Sequence, residues 1–326
     1  MTKIKIGCDV GNYDTKTQHT SVPSGYSDQK VLPNMTDEYL FYHGNYYVPR
    51  FERFNYSMDK TSNGHALILT MFGIAKEILF QLKEDGINVG KNMQCQIDEI
   101  RKISLGVGLP PGHYENLAVR TKEYYENKLK REIEFIYYNK KYEEPYRFRL
   151  SADQIGVFPQ DFMAVYKNPK SKYATEYDSY FIIGIGGGTT DIIPVVNNKV
   201  DTPRCKSLEL GTTQLYGRIS DKIYKYNSVK MSTEAVESLL LGKKNVWSEN
   251  ADVMEIVQNA SVEYVNEILD SCKAGGIELR EAPVIFFGGG CLLLRSCLVK
   301  SKLLNVYEFI EDTHANAKVY ARLLPN

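Results

Sequence analysis

The sequence predicts an α/β fold in two related halves. Three observations carry this. The chain has 326 residues, beyond the size at which one hydrophobic core stops growing. Short apolar runs with strand character alternate with longer stretches of helical period. A strand, glycine turn and strand at the start also reappear near the middle, where Asp9-Val10-Gly11-Asn12-Tyr13-Asp14-Thr15 overlies Gly184-Ile185-Gly186-Gly187-Gly188-Thr189-Thr190 at an offset of 175 residues. Self-similarity of this kind predicts two domains of common design facing each other.

The elements follow in order. Residues 3–9 and 13–20 read as strands joined at Val10-Gly11-Asn12, where glycine permits the turn. Between 30 and 60 the chain is aromatic and irregular, with a small hairpin turning at Gly44-Asn45. Leu67, Ile68, Met71, Phe72, Ala75, Ile78, Leu79 and Leu82 recur at helical spacing up to Gly86, which predicts a helix over 64–85. A buried strand at 103–109 stops at Pro110-Pro111-Gly112, a charged helix covers 114–130, and strands at 132–138 and 146–157 lead to Phe158-Pro159-Gln160. A short helix at 161–166 precedes a polar stretch, 167–178, that suits a domain crossover.

The second half opens on a buried strand at 180–185, turned by Gly186-Gly187-Gly188-Thr189-Thr190-Asp191 into another at 192–196. Helices follow at 212–226, at 232–241 behind a Ser232 cap, and at about 250–274. Val284-Ile285-Phe286-Phe287 is a buried strand broken by Gly288-Gly289-Gly290, with the next element beginning at Leu292. A strand at 306–310 and a helix at 312–323 close the chain, which gives domains of 1–166 plus 306–326 and of 167–305.

Composition narrows the function. Forty basic residues balance forty acidic ones, so no global field draws the chain to nucleic acid or to a membrane. Six scattered cysteines form no CxxC pair and lie at no zinc spacing, which predicts reduced thiols. The N-terminal segment lacks the pattern of a signal peptide, and no run of consecutive apolar residues approaches a membrane span, so a cytoplasmic location is expected.

The chemistry concentrates at the glycine turns. Backbone N–H groups in a tight turn make a concave, partly positive nest suited to phosphate oxygens, and glycine lets the anion come close. One such turn can equally be hairpin punctuation. Two matched turns at strand ends favour a ligand held from two sides. Asp9 at the end of the first strand can hold the hydrated magnesium that accompanies ATP, or be an ordinary turn residue. Lys16 can return its ammonium to phosphates, or be a solvated strand lysine. Asp191 can serve the metal shell or cap its own turn. Gly288-Gly289-Gly290 offers bare backbone to an adenine or ribose, or packs strand against helix.

The ordered set Asp9-x-Gly11-x4-Lys16, Pro159-Gln160, Gly186-Gly187-Gly188-Thr189-Thr190-Asp191 and Phe287-Gly288-Gly289-Gly290 resembles the actin, heat-shock chaperone and sugar kinase superfamily. Gly108-Leu109-Pro110, Asp59-Lys60 before a long helix, and Asp312-x2-Ala315-Asn316-Ala317 are similar to prokaryotic actin-like proteins of the ParM plasmid-segregation type. The resemblance implies an actin-like fold, with two ribonuclease-H-like domains around a nucleotide cleft. ATP or ADP with Mg2+ would occupy it, GTP remaining open, and the protein would assemble into helical filaments. A DNA-bound adaptor protein is the partner implied besides the chain itself, with no direct nucleic-acid or membrane contact.

Carried over by position, Asp9 organises the metal, and Gly11, Asn12 and Lys16 take the phosphates. Gly186, Gly187, Gly188, Thr189 and Thr190 form the opposite clamp with Gly211 and Thr212, and Gly288, Gly289 and Gly290 face adenosine. Gln160 orients the attacking water, and Asp191 joins it in catalysis. One departure matters. Relatives open the second clamp with an aspartate where this chain has Gly184, so slow hydrolysis is expected, and Gly184→Asp is expected to raise phosphate release. Lys318 stands where relatives carry a glycine, which touches only local helix packing. Two other classes share these motifs: a small-molecule kinase, for which the chain is compact, and a nonpolymerising nucleotide sensor.

Overall fold

The computed structural model describes residues 4–34, 36–55, 57–166, 168 and 171–325. Lys3, placed by the sequence at the start of the first strand, and Lys167, Pro169 and Lys170 of the expected crossover lie outside them. The chain divides into one unit of Met1–Leu109, His113–Ala164 and His314–Asn326, and another of Pro110–Gly112 and Val165–Thr313.

The first unit is built on nine strands: β1 (Ile4–Val10), β2 (Asp14–Lys16), β3 (Ser21–Pro23), β4 (Tyr26–Gln29), β5 (Glu38–Tyr42), β6 (Asn45–Pro49), β7 (Lys102–Leu109), β8 (Ile133–Asn139) and β9 (Pro145–Pro159). They lie in the order β3-β2-β1-β7-β9-β8-β5-β6-β4. β1, β7 and β9 run parallel, as buried apolar strands do when helices cover them. The helices before the crossover are α1 (His65–Glu84) and α2 (Lys91–Glu99) of this unit, α3 (Pro111–Leu129), which belongs to it from His113 on, and α4 (Phe162–Tyr166), which belongs to it up to Ala164.

α1 forms because its apolar residues recur every three to four positions, and fourteen of its residues are buried. At 20 residues and a mean hydropathy of 1.4 it is long and apolar enough to cross a membrane. The expectation that nothing approaches such a span is therefore corrected. Counting consecutive apolar residues misses α1 because Thr70, Lys76 and Glu77 interrupt the run. In the fold this helix is a core element, and Gly73 lets it lie close to β1 and β2: a Cβ there would sit 3.3 Å from Cys8 Sγ.

Two further differences have local causes. The strand expected at 13–20 ends at Lys16, because the chain turns at 17–20 with Thr17 N–H donating to the Thr20 carbonyl at 2.8 Å. Glu77, fully buried on α1, holds that turn by accepting from Thr17 Oγ1 at 2.6 Å and His19 N at 3.1 Å. α2 has no expected counterpart, since only Met93 and Ile97 anchor its nine residues.

The second unit carries α5 (Lys172–Glu176), β10 (Tyr180–Ile185), β11 (Thr190–Val196), β12 (Lys199–Val200), β13 (Lys206–Leu208), α6 (Thr212–Asn227), α7 (Thr233–Leu240), α8 (Ala251–Ala274), β14 (Val284–Phe287), α9 (Gly289–Leu293), α10 (Arg295–Leu298) and β15 (Tyr307–Phe309). Its sheet runs β12-β11-β10-β14-β15, with β13 also on β11. Ser232 caps α7 by accepting from Ala235 N–H, as the sequence indicates. α9 begins at Gly289 rather than at Leu292, because Gly288 takes φ 89° and turns the chain straight into a helix. β15 pairs in parallel with β14, so residues 306–313 stay with the second unit and the return to the first begins at His314.

The repeat is visible in the strand ladders. β1 pairs antiparallel with β2 through Asp9↔Lys16 and Val10↔Thr15. β10 pairs antiparallel with β11 through Gly184↔Asp191 and Ile185↔Thr190. Adding 175 to each position of the first register gives the second. Each hairpin also has a parallel neighbour on its first strand, β7 beside β1 and β14 beside β10.

The last helix, α11 (Ala315–Leu323), returns to the first sheet. Gly7, Gly106 and Gly156 are register neighbours on β1, β7 and β9, and form a row without side chains. α11 lies in that row. A Cβ on Gly7 would collide with the Ala317 carbonyl, and one on Gly106 would come 2.8 Å from Tyr320 Cβ. Phe158 stacks on Tyr320 with centroids 5.7 Å apart. Close approach of this kind is what a bare backbone permits.

Candidate functional site

In the first unit, β1 ends at Asp9 and Val10, where a parallel strand delivers its residues to the carboxyl end of the sheet, the usual place for ligands in α/β folds. Asp9 Oδ1 accepts from Gln160 Nε2 at 2.7 Å, and Asp9 Oδ2 from Asn316 Nδ2 at 3.2 Å. Asn316 also donates to Asp161 Oδ1 at 3.0 Å and accepts from Asp161 N–H at 2.9 Å. β1, the end of β9 and α11 thus meet in one polar cluster, in which Gln160, Asp161 and Asn316 are all buried. Asp161 sits at φ 58°, a left-handed conformation that aspartate tolerates better than most residues.

The sequence singles out Asp9 and Gln160, and the structure brings them into contact. It misses Asp161 and Asn316 as site residues, although the Ala315-Asn316-Ala317 segment is in view as a helix start. Lys16 stands directly opposite Asp9 on the ladder, so the two side chains share a face. Gly11 N–H donates to the Asp9 carbonyl at 2.9 Å and closes the turn. Its Cα has no room for a substituent, since a Cβ would lie 2.5 Å from the Asp14 carbonyl oxygen. Lys60 and Arg53, which the sequence does not connect with this turn, also reach it: Lys60 Nζ donates to the Val10 carbonyl and Arg53 Nε to the Tyr13 carbonyl.

In the second unit the turn 186–189 is closed by Gly186 N–H donating to the Thr189 carbonyl at 2.8 Å. The first amides of α6 secure its far side. Thr212 N–H donates to the Gly186 carbonyl at 2.9 Å and Thr213 N–H to the Gly187 carbonyl at 3.0 Å. Gly211 must be glycine for this, because a Cβ would overlap Gly187 and Gly188. Thr190 Oγ1 donates to the Leu210 carbonyl, and Tyr264 Oη to the Gly211 carbonyl at 2.7 Å. Gly186, Gly187, Gly188, Thr189, Thr190, Gly211 and Thr212 therefore form one backbone assembly.

Asp191 is buried, with Oδ1 accepting from Ser207 Oγ and Oδ2 from Thr189 Oγ1 at 3.4 Å. Both carboxylate oxygens of Asp191 are thus engaged by hydroxyls, one from the turn and one from β13. The glycines after β14 divide. Gly288 and Gly290 lie against β10, where a Cβ on each would come within 2.8 Å and 2.7 Å of the Ile185 carbonyl oxygen, so neither position has room for a side chain. Gly289 faces open space.

The residues present suit magnesium in one specific way. Among the described residues no group of three or more His, Cys, Asp or Glu could cage a metal ion. A single carboxylate oriented by two amides, as Asp9 is, matches an ion that keeps most of its waters and takes its other ligands from phosphates.

Solved structures similar to the chain share its architecture. A 15-stranded ParM filament from Clostridium botulinum superposes with a TM-score of 0.71 at 17% identity, covering 99% of both chains. Ta0583, an archaeal actin homologue, in complex with ADP gives 0.72 at 16%, covering 98% of both. Bacillus thuringiensis ParM with ATP gives 0.63 at 15%, covering 99% of this chain and 98% of that one. A search of curated proteins by sequence gave no match. The chain is an actin-fold protein.

Within that class, residues 182–300 match the family described as archaeal actin homologue MreB-like, C-terminal. That segment runs from β10 through α10 and includes the second turn.

Proposed function

We propose that the chain is an ATP-binding actin-like protein that polymerises into helical filaments and hydrolyses ATP slowly. The observation that carries this reading is the equality of the two hairpin registers, Asp9↔Lys16 and Gly184↔Asp191, each ending on a glycine turn. Gly11, Asn12 and Lys16 of the first unit would take phosphates, and so would Gly186 to Thr190 of the second, with Gly211 and Thr212 bonded to their turn. Gly289, with its open face, would meet adenosine.

Asp9 would hold magnesium, which when bound neutralises charge on the phosphates. Gln160, fixed on Asp9, would orient the attacking water through its carbonyl oxygen. Gly184 leaves the second turn without its leading acid, which supports binding with slow turnover. Asp191, engaged with Ser207 and Thr189, would act on catalysis through the shape of the turn.

Likeness to a ParM filament and to nucleotide complexes supports self-assembly driven by ATP or ADP state. Head-to-tail contacts that do not close into a ring propagate such a polymer. Plasmid DNA segregation in the cytoplasm, through a DNA-bound adaptor, is the role we assign to it. The test is sedimentation of the purified chain with MgATP, MgADP and no nucleotide, followed by electron microscopy of the pellets. Filaments that form with MgATP and fade with MgADP are expected. A chain that binds ATP yet stays in the supernatant would make it a nonpolymerising sensor.

A further inference from the structure

The first turn is held from behind by donors that come from elsewhere in its unit. Lys60 Nζ donates to the Val10 carbonyl. Ser24 Oγ donates to the Gly11 carbonyl at 2.7 Å. The Tyr13 carbonyl accepts twice, from Ser24 N–H at 2.9 Å and from Arg53 Nε at 2.6 Å. Three carbonyls in a stretch of four residues are thus drawn to the protein side.

This has a stereochemical result. In a planar trans peptide the carbonyl and the following N–H point in opposite directions. Anchoring the carbonyls of Val10, Gly11 and Tyr13 therefore directs the N–H groups of Gly11, Asn12 and Asp14 away from their anchors. Gly11 N–H is used within the turn, on the Asp9 carbonyl. The Asn12 N–H is left facing away from Ser24, a single backbone donor on the side opposite the anchored carbonyls.

Arg53 and Lys60 add charge as well as position. The Arg53 side chain is only 8% exposed and pairs with Asp14 Oδ1 at 3.3 Å. Its guanidinium lies 4.1 Å over the Tyr13 ring, a cation–π contact that fixes the residue on the turn. Lys60 lines a small recess together with Gly11, Asn12, Asn55, Ser57 and Asn63. Both cations come from the segment after β6, some forty to fifty residues from the turn they support.

We infer that Lys60 and Arg53 are positioning residues for nucleotide phosphates. They hold the 10–14 turn in the form that presents its amides and set positive charge behind it. The inference rests on the nucleotide-binding reading above. Its signature is dependence on phosphate charge: ATP and ADP feel these residues, and adenosine does not.

The experiment is calorimetric titration of the full chain with MgATP, MgADP and adenosine. Lys60→Met is expected to weaken ATP and ADP about tenfold or more, the loss of a hydrogen bond from a charged donor. Adenosine affinity stays unchanged, and Lys60→Arg recovers most of the loss. Lys60→Met binding ATP as tightly as the parent overturns the inference. So does a proportional loss of adenosine, which marks a merely structural role. Should the methionine variant not fold, Lys60→Gln and Arg53→Lys, which change the donor without truncating the side chain, take its place, and ATP affinity equal to the parent's in both overturns the inference. A parent chain that binds no nucleotide instead overturns the underlying reading, a result distinct from parent binding with unaffected variants.

Discussion

Gln160 Nε2 donates to Asp9 Oδ1 at 2.7 Å, joining residues 151 positions apart in sequence. The contact fixes both partners at once: the carboxylate cannot rotate, and the amide presents its oxygen elsewhere. Replacing Gln160 by Ala removes the amide to which the proposed function gives the attacking water, while leaving both glycine turns intact. Phosphate release in single turnover is expected to fall by roughly ten- to a hundredfold, near the lower range for loss of a proton-handling or water-orienting group. MgADP affinity, measured by titration, should change little. Equal loss of binding and release would remove Gln160 from this role.

Gly184 and Asp191 face each other on the β10–β11 ladder, and both are buried. A side chain at 184 would share Asp191's face, so Gly184→Asp brings two carboxylates together. The substitution alone is expected to lower the melting temperature, by about 2–4 °C for each kcal/mol lost. Adding Asp191→Asn should restore stability, and phosphate release should rise with Gly184→Asp in both the single and the double variant. Melting curves of both single variants and the pair give the coupling. If Gly184→Asp alone is as stable as the parent, the two acids are not in conflict.

The glycine row under α11 and the open glycine at α9 should respond oppositely. Gly106→Ala pushes a methyl against Tyr320. A cost of about 1–3 kcal/mol is expected, as for overpacking in general. Gly289→Ala meets nothing within 4 Å, so stability should hold while adenosine-containing ligands bind less well. Thermal denaturation and nucleotide titration of both variants check the contrast.

Alkali should destabilise the fold. Burial pushes the Cys8 thiol up to about 12, with Asp9 adding to it, and burial lifts Cys272 to about 12 and Cys205 to about 11, against an ordinary 9.0. Buried Tyr125 and Tyr137 are raised in the same sense. These groups keep their protons in the folded chain at a pH where the unfolded chain has lost them. Their contribution is full below pH 9 and is lost as pH rises toward 11 and 12. Melting temperatures should be flat from pH 7 to about 8.5 and fall beyond 9. A flat profile to pH 11 would contradict the assigned burial.

What could be read in the sequence follows from where the information resides. α1 is legible because its periodic apolar face is a local pattern. The paired hairpins are legible because each turn needs glycine within a few residues of a strand end. α2 is not, with two buried anchors in nine residues. Asp9 and Gln160 each stand out locally, yet their contact depends on β7 lying between β1 and β9, a register no local pattern encodes. For the same reason Gly7, Gly106 and Gly156 look like unrelated glycines until the strands are side by side. Arg53 and Lys60 sit in an irregular stretch with no period to mark their role.

The position of α11 in the chain bears on synthesis. About 150 residues, the whole second unit, separate Ala164 from Ala315. At roughly 5–20 residues per second, some 8–30 seconds of translation pass before the helix that fills the glycine row is made. Through that interval the nascent first unit has a bare furrow across three central strands, and Asp9 and Asp161 lack the Asn316 amide that joins them. The polar cluster is therefore complete only after the second unit has been translated, which ties assembly of the Asp9 cluster to synthesis of α11.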